Sequence, residues 1–188
     1  MLRITGGEWR GRKLKTPAGL ATRPTPSMVR EALFNILGPL IEEYVFFDLF
    51  AGSGIVGFEA LSRGASRAVF VEQSREALAC LRENFQLLGC GTRAVCVPQA
   101  MPGALNADAF RCEEPALFFL DPPYKQGWGI QTLEALGGLP AVRQPGHVCV
   151  VQAEKEALLE DHVAEVWGLR RRYTYGATAL WVYDTRIA

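Results

Sequence analysis

The 188 residues predict an α/β protein whose sheet is mostly parallel and covered by helices on both faces. Two observations carry that expectation. From residue 45 onward, short apolar runs alternate with stretches of helical period, the order that builds parallel strands joined by crossover helices. The first run leads into Gly52-Ser53-Gly54-Ile55-Val56-Gly57, a G-x-G-x-x-G turn at the place where such sheets bind ligands.

Each element has its own reason. Residues 2–5 and 12–15 read as extended pieces around Gly6-Gly7 and Gly11, a small irregular hairpin. Thr25-Pro26 has the form of a cap followed by a proline at the first helical position. Val29, Leu33, Ile36, Leu37 and Leu40 then recur at helical spacing, so a helix is expected to about residue 38 or 40. Apolar runs at 45–50, 68–71, 94–97, 116–120 and 148–151 predict buried strands. Between them the clearest helix is 74–88, with Leu78, Leu81, Phe85 and Leu88 on one face and Gly89 as its stop. A short helix is expected near 155–160. Extended runs at 163–173 and 177–183 follow, joined through Tyr175-Gly176, so the sheet should end with an antiparallel strand. The one boundary falls at 41–44, separating an N-terminal extension, residues 1–43, from a domain of residues 44–188.

Apolar content of 49 % and charge of 21 % suit a soluble globular protein. No apolar run is long enough to span a bilayer, and Met1-Leu2-Arg3-Ile4-Thr5-Gly6-Gly7 lacks a secretory h-region. A cytoplasmic location with no membrane partner is expected, and a monomer, since nothing resembles a dedicated dimer helix. The cysteines Cys80, Cys90, Cys96, Cys112 and Cys149 are odd in number and form no C-x-x-C pair, and His147 and His162 stand at no ligand spacing from them. Reduced, buried thiols and no metal are the expectation.

Net charge is zero but uneven. Residues 1–30 hold Arg3, Arg10, Arg12, Lys13, Lys15, Arg23 and Arg30 against one acid, Glu8. A basic arm on an acidic body suits an enzyme that binds a polyanion.

The glycine turn alone admits two ligands. NAD and S-adenosylmethionine both carry an adenosine, and Glu72, ending the run Val69-Phe70-Val71, stands where a carboxylate grips ribose hydroxyls. Asp48, four residues before Gly52, favours the second. A pyrophosphate roughly 5 Å from an ionised aspartate meets repulsion of about 3 kcal/mol, whereas an ammonium and a sulfonium are attracted.

A second motif, Asp121-Pro122-Pro123-Tyr124, follows the apolar run 116–120 and so stands on the same rim. Successive prolines stiffen the turn and leave the Asp121 carboxylate and backbone carbonyls pointing outward. Such acceptors suit a planar amino group, and Tyr124 offers a face on which an extruded base can stack. Accepting the amine hydrogens at Asp121 and the Pro122 carbonyl localises electron density on nitrogen, so that positioning does most of the catalysis.

Together, Asp48-Leu49-Phe50-Ala51-Gly52-Ser53-Gly54, Glu72 and Asp121-Pro122-Pro123-Tyr124 resemble the class I S-adenosylmethionine-dependent amino-methyltransferases, whose fold is Rossmann-like. The upstream stretches Arg3-Ile4-Thr5-Gly6-Gly7-Glu8-Trp9-Arg10-Gly11-Arg12, Arg23-Pro24-Thr25 and Val29-Arg30-Glu31-Ala32-Leu33-Phe34-Asn35 narrow the resemblance to the RsmD-type enzymes, bacterial guanine-N2 methyltransferases of 16S ribosomal RNA. That resemblance spans essentially the whole chain. It implies a seven-stranded sheet with S-adenosylmethionine across its rim and 16S rRNA, free or in an assembling 30S particle, bound partly through the extension.

It further implies cofactor contacts at Asp48, Phe50, Ala51, Gly52, Ser53, Gly54, Glu72 and Gln73. Where related enzymes place an acid near the adenine amino group, this chain has Gln99-Ala100, and the Gln99 amide oxygen can still accept a hydrogen bond. Arg23 and Thr25 are placed to reach the cofactor carboxylate or the RNA. Arg3, Arg10, Arg12, Lys13, Lys15 and Arg30 are expected to contact RNA, with Trp9 suited equally to stacking on a base and to pinning the hairpin to the body. Two other readings stay open: an adenine-N6 methyltransferase, since D-P-P-Y does not choose the base, and a non-catalytic RNA-binding assembly factor. A dehydrogenase is the remote remainder.

Overall fold

A computed structural model describes residues 2–17, 25–111, 114–123 and 127–185. Arg23, Tyr124 and Cys112 lie outside the described residues. The apolar runs become β3 (Val45–Asp48), β4 (Arg67–Val71), β5 (Ala94–Val97), β6 (Ala116–Leu120) and β7 (Val148–Glu154). All five pair in parallel in the order β5-β4-β3-β6-β7. Beyond β7 the sheet continues through β10 (Thr178–Thr185), β9 (Trp167–Tyr175) and β8 (His162–Val163), each antiparallel to its neighbour. The expected antiparallel last strand is β10, inserted between β7 and β9.

The fold is the Rossmann-like α/β arrangement expected, with one strand more than seven. The run 163–173 does not stay straight, because Ala164 and Glu165 both adopt positive φ, 54° and 57°. The chain reverses there, and two-residue β8 folds back onto the Trp167 end of β9. The short helix expected near 155–160 is absent. Lys155 N instead bonds Ala177 O, prolonging the β7–β10 ladder, and Leu158 is exposed while Leu159 packs against the core, so the ladder rather than a helical turn takes up the start of the stretch.

Period-two alternation sorts the strand residues onto two faces. Phe46, Phe70, Leu117, Phe119 and Val150 pack beneath α1 (Ser27–Leu37), α2 (Ile55–Ser62) and α3 (Arg75–Leu88). Phe47, Val69, Phe118 and Val151 pack on the other face, against α4 (Trp128–Gly137) and the segment 101–110. α3 is bounded as its sequence predicts: the Ser74 hydroxyl accepts from Ala77 N, and Gly89 closes the helix at φ 66°. α1 differs. Pro26 occupies its N-cap and Thr25 does not cap it, because the Thr25 hydroxyl is engaged elsewhere.

In the extension, β1 (Leu2–Arg3) pairs antiparallel with β2 (Lys13–Leu14), and Ile4, Trp9 and Leu14 join the same core as Phe46 and Phe58. Glu8 N and Trp9 N bond the Ser62 carbonyl and hydroxyl at 2.7 and 2.8 Å, docking the hairpin on the end of α2.

Candidate active site at the strand ends

Four polar side chains stand along the carboxyl-end rim of four adjacent strands, on the face covered by α1–α3: Glu72 after β4, Asp48 on β3, Asp121 after β6 and Gln152 on β7. Their common face follows from alternation, since Phe70, Phe46, Phe119 and Val150 two positions earlier all lie in the core beneath those helices.

The turn between β3 and α2 is held by backbone bonds from Leu49 N to Phe119 O, Ala51 N to Val71 O and Gly54 N to Ala51 O. Gly54, at φ 77°, has no room for a side chain, because a Cβ would stand 2.4 Å from Leu81 Cδ2. A Cβ on Gly57 would stand 2.4 Å from Phe70 Cε1, so α2 lies directly on β4. At Gly52 the space outside the backbone is open to at least 4 Å. The fully buried Asn84 of α3 ties this turn to the extension: its amide nitrogen donates to Ser53 O at 3.4 Å and Lys15 O at 3.1 Å, and its oxygen accepts from Lys15 N at 2.9 Å.

Asp48 is 2 % exposed and accepts from Gly57 N at 3.1 Å, in the first turn of α2. Burial pushes its carboxyl up to about 7, the Gly57 hydrogen bond opposes the shift, and nearby Asp121 and Glu72 add to it. Asp48 therefore discriminates between the two ligands less than its place in the sequence suggests. The carboxylate lies beneath the turn and is only partly ionised near neutrality, so it contributes less repulsion toward a pyrophosphate than a fully charged group would. Glu72 sits differently. One carboxylate oxygen accepts from Gly52 N at 2.8 Å and the other from Gln73 N and Ser74 N, each at 2.8 Å.

Asp121 is mostly enclosed, and burial raises its carboxyl to about 6 against hydrogen bonds from Thr25 and the Gln152 amide. The Thr25 hydroxyl donates to Asp121 Oδ2 at 3.1 Å. Pro122 is buried and Pro123 exposed, and Gly129 in the first turn of α4 packs against Pro122. Gln73, Gln99 and Ala100 are exposed on the same rim, Phe50 and Ser53 are half-buried, and Ala51 is buried. A cavity of about 430 Å³ lies elsewhere, between Phe34, Gly38, Glu42 and Arg63. None of these is a strand-end residue, so chemistry rather than void size locates the site.

Burial and bonding correct the expectations for Thr25 and Arg30 and decide between the two for Trp9. Thr25 holds Asp121 and is not free to contact cofactor or RNA. Trp9 is 6 % exposed with Arg93 over its ring, so it pins the hairpin and cannot stack on a base. Arg30 is 3 % exposed and turned inward: it pairs with Glu59 at 3.2 Å and donates to Thr25 O and Arg3 O at 2.8 and 2.9 Å. Glu59 also pairs with Arg63 and accepts from the Thr5 hydroxyl, so one buried carboxylate gathers the hairpin, α1 and α2. Among the remaining basic residues, Arg3, Arg12 and Lys15 are exposed but engaged with Gly11 O, Leu87 O and Glu83. The exposed Arg10 and Lys13 side chains form no hydrogen bond or ion pair with other described residues.

Sequence reasoning passed over Glu59, Asn84 and Gln152. The first two carry no local signal, but Gln152 interrupts the run Val148-Cys149-Val150-Val151 at the rim, the same signal that marks Glu72 and Asp121.

The chain is similar to known proteins over nearly its whole length. A family model described as Conserved hypothetical protein 95 matches residues 2–184. Ribosomal RNA small subunit methyltransferase D of Escherichia coli K12 is 36 % identical over 183 residues, 97 % of this chain and 89 % of the relative. The protein of that name from Haemophilus influenzae is 34 % identical over 184 residues, 97 % of this chain and 93 % of the relative. A solved Escherichia coli protein named for methyltransferase activity superposes with a TM-score of 0.80 at 35 % identity, covering 100 % of this chain and 99 % of that one. A Salinibacter ruber RNA methyltransferase, solved with S-adenosyl-L-homocysteine, shares the fold at a TM-score of 0.61 and 17 % identity, covering 88 % of this chain and 97 % of that one.

Proposed function

Because the chain belongs to the Conserved hypothetical protein 95 family, the RsmD family of small-subunit rRNA methyltransferases, we propose that it transfers a methyl group from S-adenosylmethionine to the exocyclic N2 amine of a guanine in 16S rRNA. One observation carries the proposal. Asp121, held by Thr25 and raised to about 6, ends β6 on the same sheet face as Asp48 and Glu72.

The residues fit the donor. Open space outside Gly52, the carboxylate of Glu72 beside it and the exposed Gln73 and Gln99 form a rim suited to an adenosine. Glu72 would hold the ribose hydroxyls, the turn 50–54 the methionine portion, and Gln99 with Ala100 the adenine edge. When bound, S-adenosylmethionine supplies an electrophilic methyl group on a cationic sulfur. Asp121 and the Pro122 carbonyl accept the hydrogens of the target amine, drawing electron density onto its nitrogen and aligning it for attack. A carboxyl near 6 is ionised at neutral pH and is basic enough to take the released proton at an Asp121 oxygen. The extension supplies the exposed cations Arg10 and Lys13 for phosphate contacts, and residues 1–43 act as the RNA-binding part beside a methyltransferase body of 44–188.

The test is methyl transfer from labelled donor to small-subunit particles lacking the modification, followed by mass analysis of nucleosides. N2-methylguanosine is expected, and a methyladenine product would overturn the assignment. Asp121→Asn should bind S-adenosylhomocysteine and RNA normally yet lose at least about a hundredfold in transfer. Undiminished cellular function in that variant would favour a non-catalytic assembly factor.

A further inference from the structure

Gln152 is 3 % exposed, and its Oε1 has no hydrogen-bond partner among the described residues. Leaving a buried amide oxygen unpaired is unfavourable, and native proteins seldom do so without a use for the group. Its position narrows the use. β6 and β7 pair with Leu120 opposite Val151, so the next step along both strands sets Asp121 beside Gln152. Both side chains lie on the face of the sheet that carries Asp48.

The orientation of the amide follows from its neighbour. A carboxylate only accepts, so the end of Gln152 facing Asp121 is the NH₂ group, and its oxygen points elsewhere. The strand ends thus present two kinds of acceptor side by side: the Asp121 carboxylate with the Pro122 carbonyl, and the Gln152 amide oxygen. Guanine matches that pair. Its 2-amino group adjoins N1–H, a second donor, whereas the 6-amino group of adenine adjoins N1, an acceptor that would face Gln152 Oε1 oxygen to nitrogen with no hydrogen between them.

We propose that Gln152 is a specificity-determining residue that accepts guanine N1–H through Oε1 while Asp121 holds the adjoining 2-amino group. This rests on the guanine-N2 reading given above and extends it by assigning the choice of base to a side chain. Adenine is disfavoured because it would leave the buried oxygen unpaired and opposed, which discriminates more strongly than a change of apolar shape.

The test uses 2-aminopurine, which keeps the 2-amino group but has no N1–H. After the target guanine is mapped, an rRNA fragment carrying it and one carrying 2-aminopurine at that position are methylated by the full-length protein, and kcat/KM is compared. Wild type should prefer guanine at least tenfold. Gln152→Leu also removes the amide donor to Asp121, a loss common to both substrates, and should lose at least tenfold more on guanine than on 2-aminopurine, so the preference collapses. An equal effect of Gln152→Leu on both substrates, or a preference that survives it, overturns the role of Gln152 while leaving guanine-N2 methylation standing. If wild type transfers no methyl group to any guanine N2, both readings fall together.

Discussion

The Thr25 hydroxyl lies 3.1 Å from Asp121 Oδ2, joining the residue before the N-cap of α1 to the end of β6 across 96 positions of sequence. The contact makes the extension part of the candidate active site. Arg30 reinforces it by donating to the Thr25 carbonyl at 2.8 Å from within α1.

Thr25→Val removes a hydrogen bond that lowers the Asp121 carboxyl, which burial already raises to about 6. The acid limb of kcat/KM falls as Asp121 is protonated, so this variant should move the limb upward by about one pH unit. A pH–rate profile checks it, and an unmoved limb would separate Thr25 from Asp121 in function.

Asp48→Asn should flatten the dependence of stability on pH. The Asp48 carboxyl stands at about 7 in the folded chain against its ordinary 3.8 when free, so the stability linked to it is fully present below about pH 4. It is lost as pH rises through 7, at up to about 1.4 kcal/mol per pH unit. The fall in Tm between pH 5 and pH 7.5 should shrink in the variant, and Asp121, raised in the same direction, should account for part of what remains.

Arg30→Ala leaves the fully buried Glu59 with Arg63 alone as its charged partner. Breaking a buried pair from one side costs about 3–5 kcal/mol, measurable by denaturant unfolding. A loss below about 1 kcal/mol would mean that the Arg30–Glu59 pair holds little together.

Arg10→Gln combined with Lys13→Gln should leave stability unchanged, since both side chains are exposed and unpaired with other described residues. RNA affinity should weaken, and the slope of log K against log salt should decrease by roughly 1.5–2. An unchanged slope would place the phosphate contacts elsewhere.

Much of the rim was legible because strand ends announce themselves. Glu72 and Asp121 each terminate an apolar run, Ser74 and Gly89 bracket a helix with one apolar face, and the glycine turn follows β3. Gln152 was missed although the same rule points to it, because an amide carries no charge to draw attention. Arg30 was misread as a surface contact, and Trp9 stayed open between base and body, for a different reason. Their residue types suit both RNA and core, and nothing local distinguishes an arginine facing solvent from one facing Glu59, 29 positions away.

The sequence by itself determined the alternation of strands and helices, the turn at Gly52–Gly54 and which residue types stand at the ends of β3, β4 and β6, since these follow from local periodicity and from steric demands within a few residues. Only the tertiary structure decided that Thr25 serves Asp121, that Arg30 and Trp9 turn inward, that Asp48 lies buried near 7, and that Gln152 completes the rim. Each of those depends on burial and on partners brought from distant parts of the chain, and both are set by packing rather than by neighbouring residues.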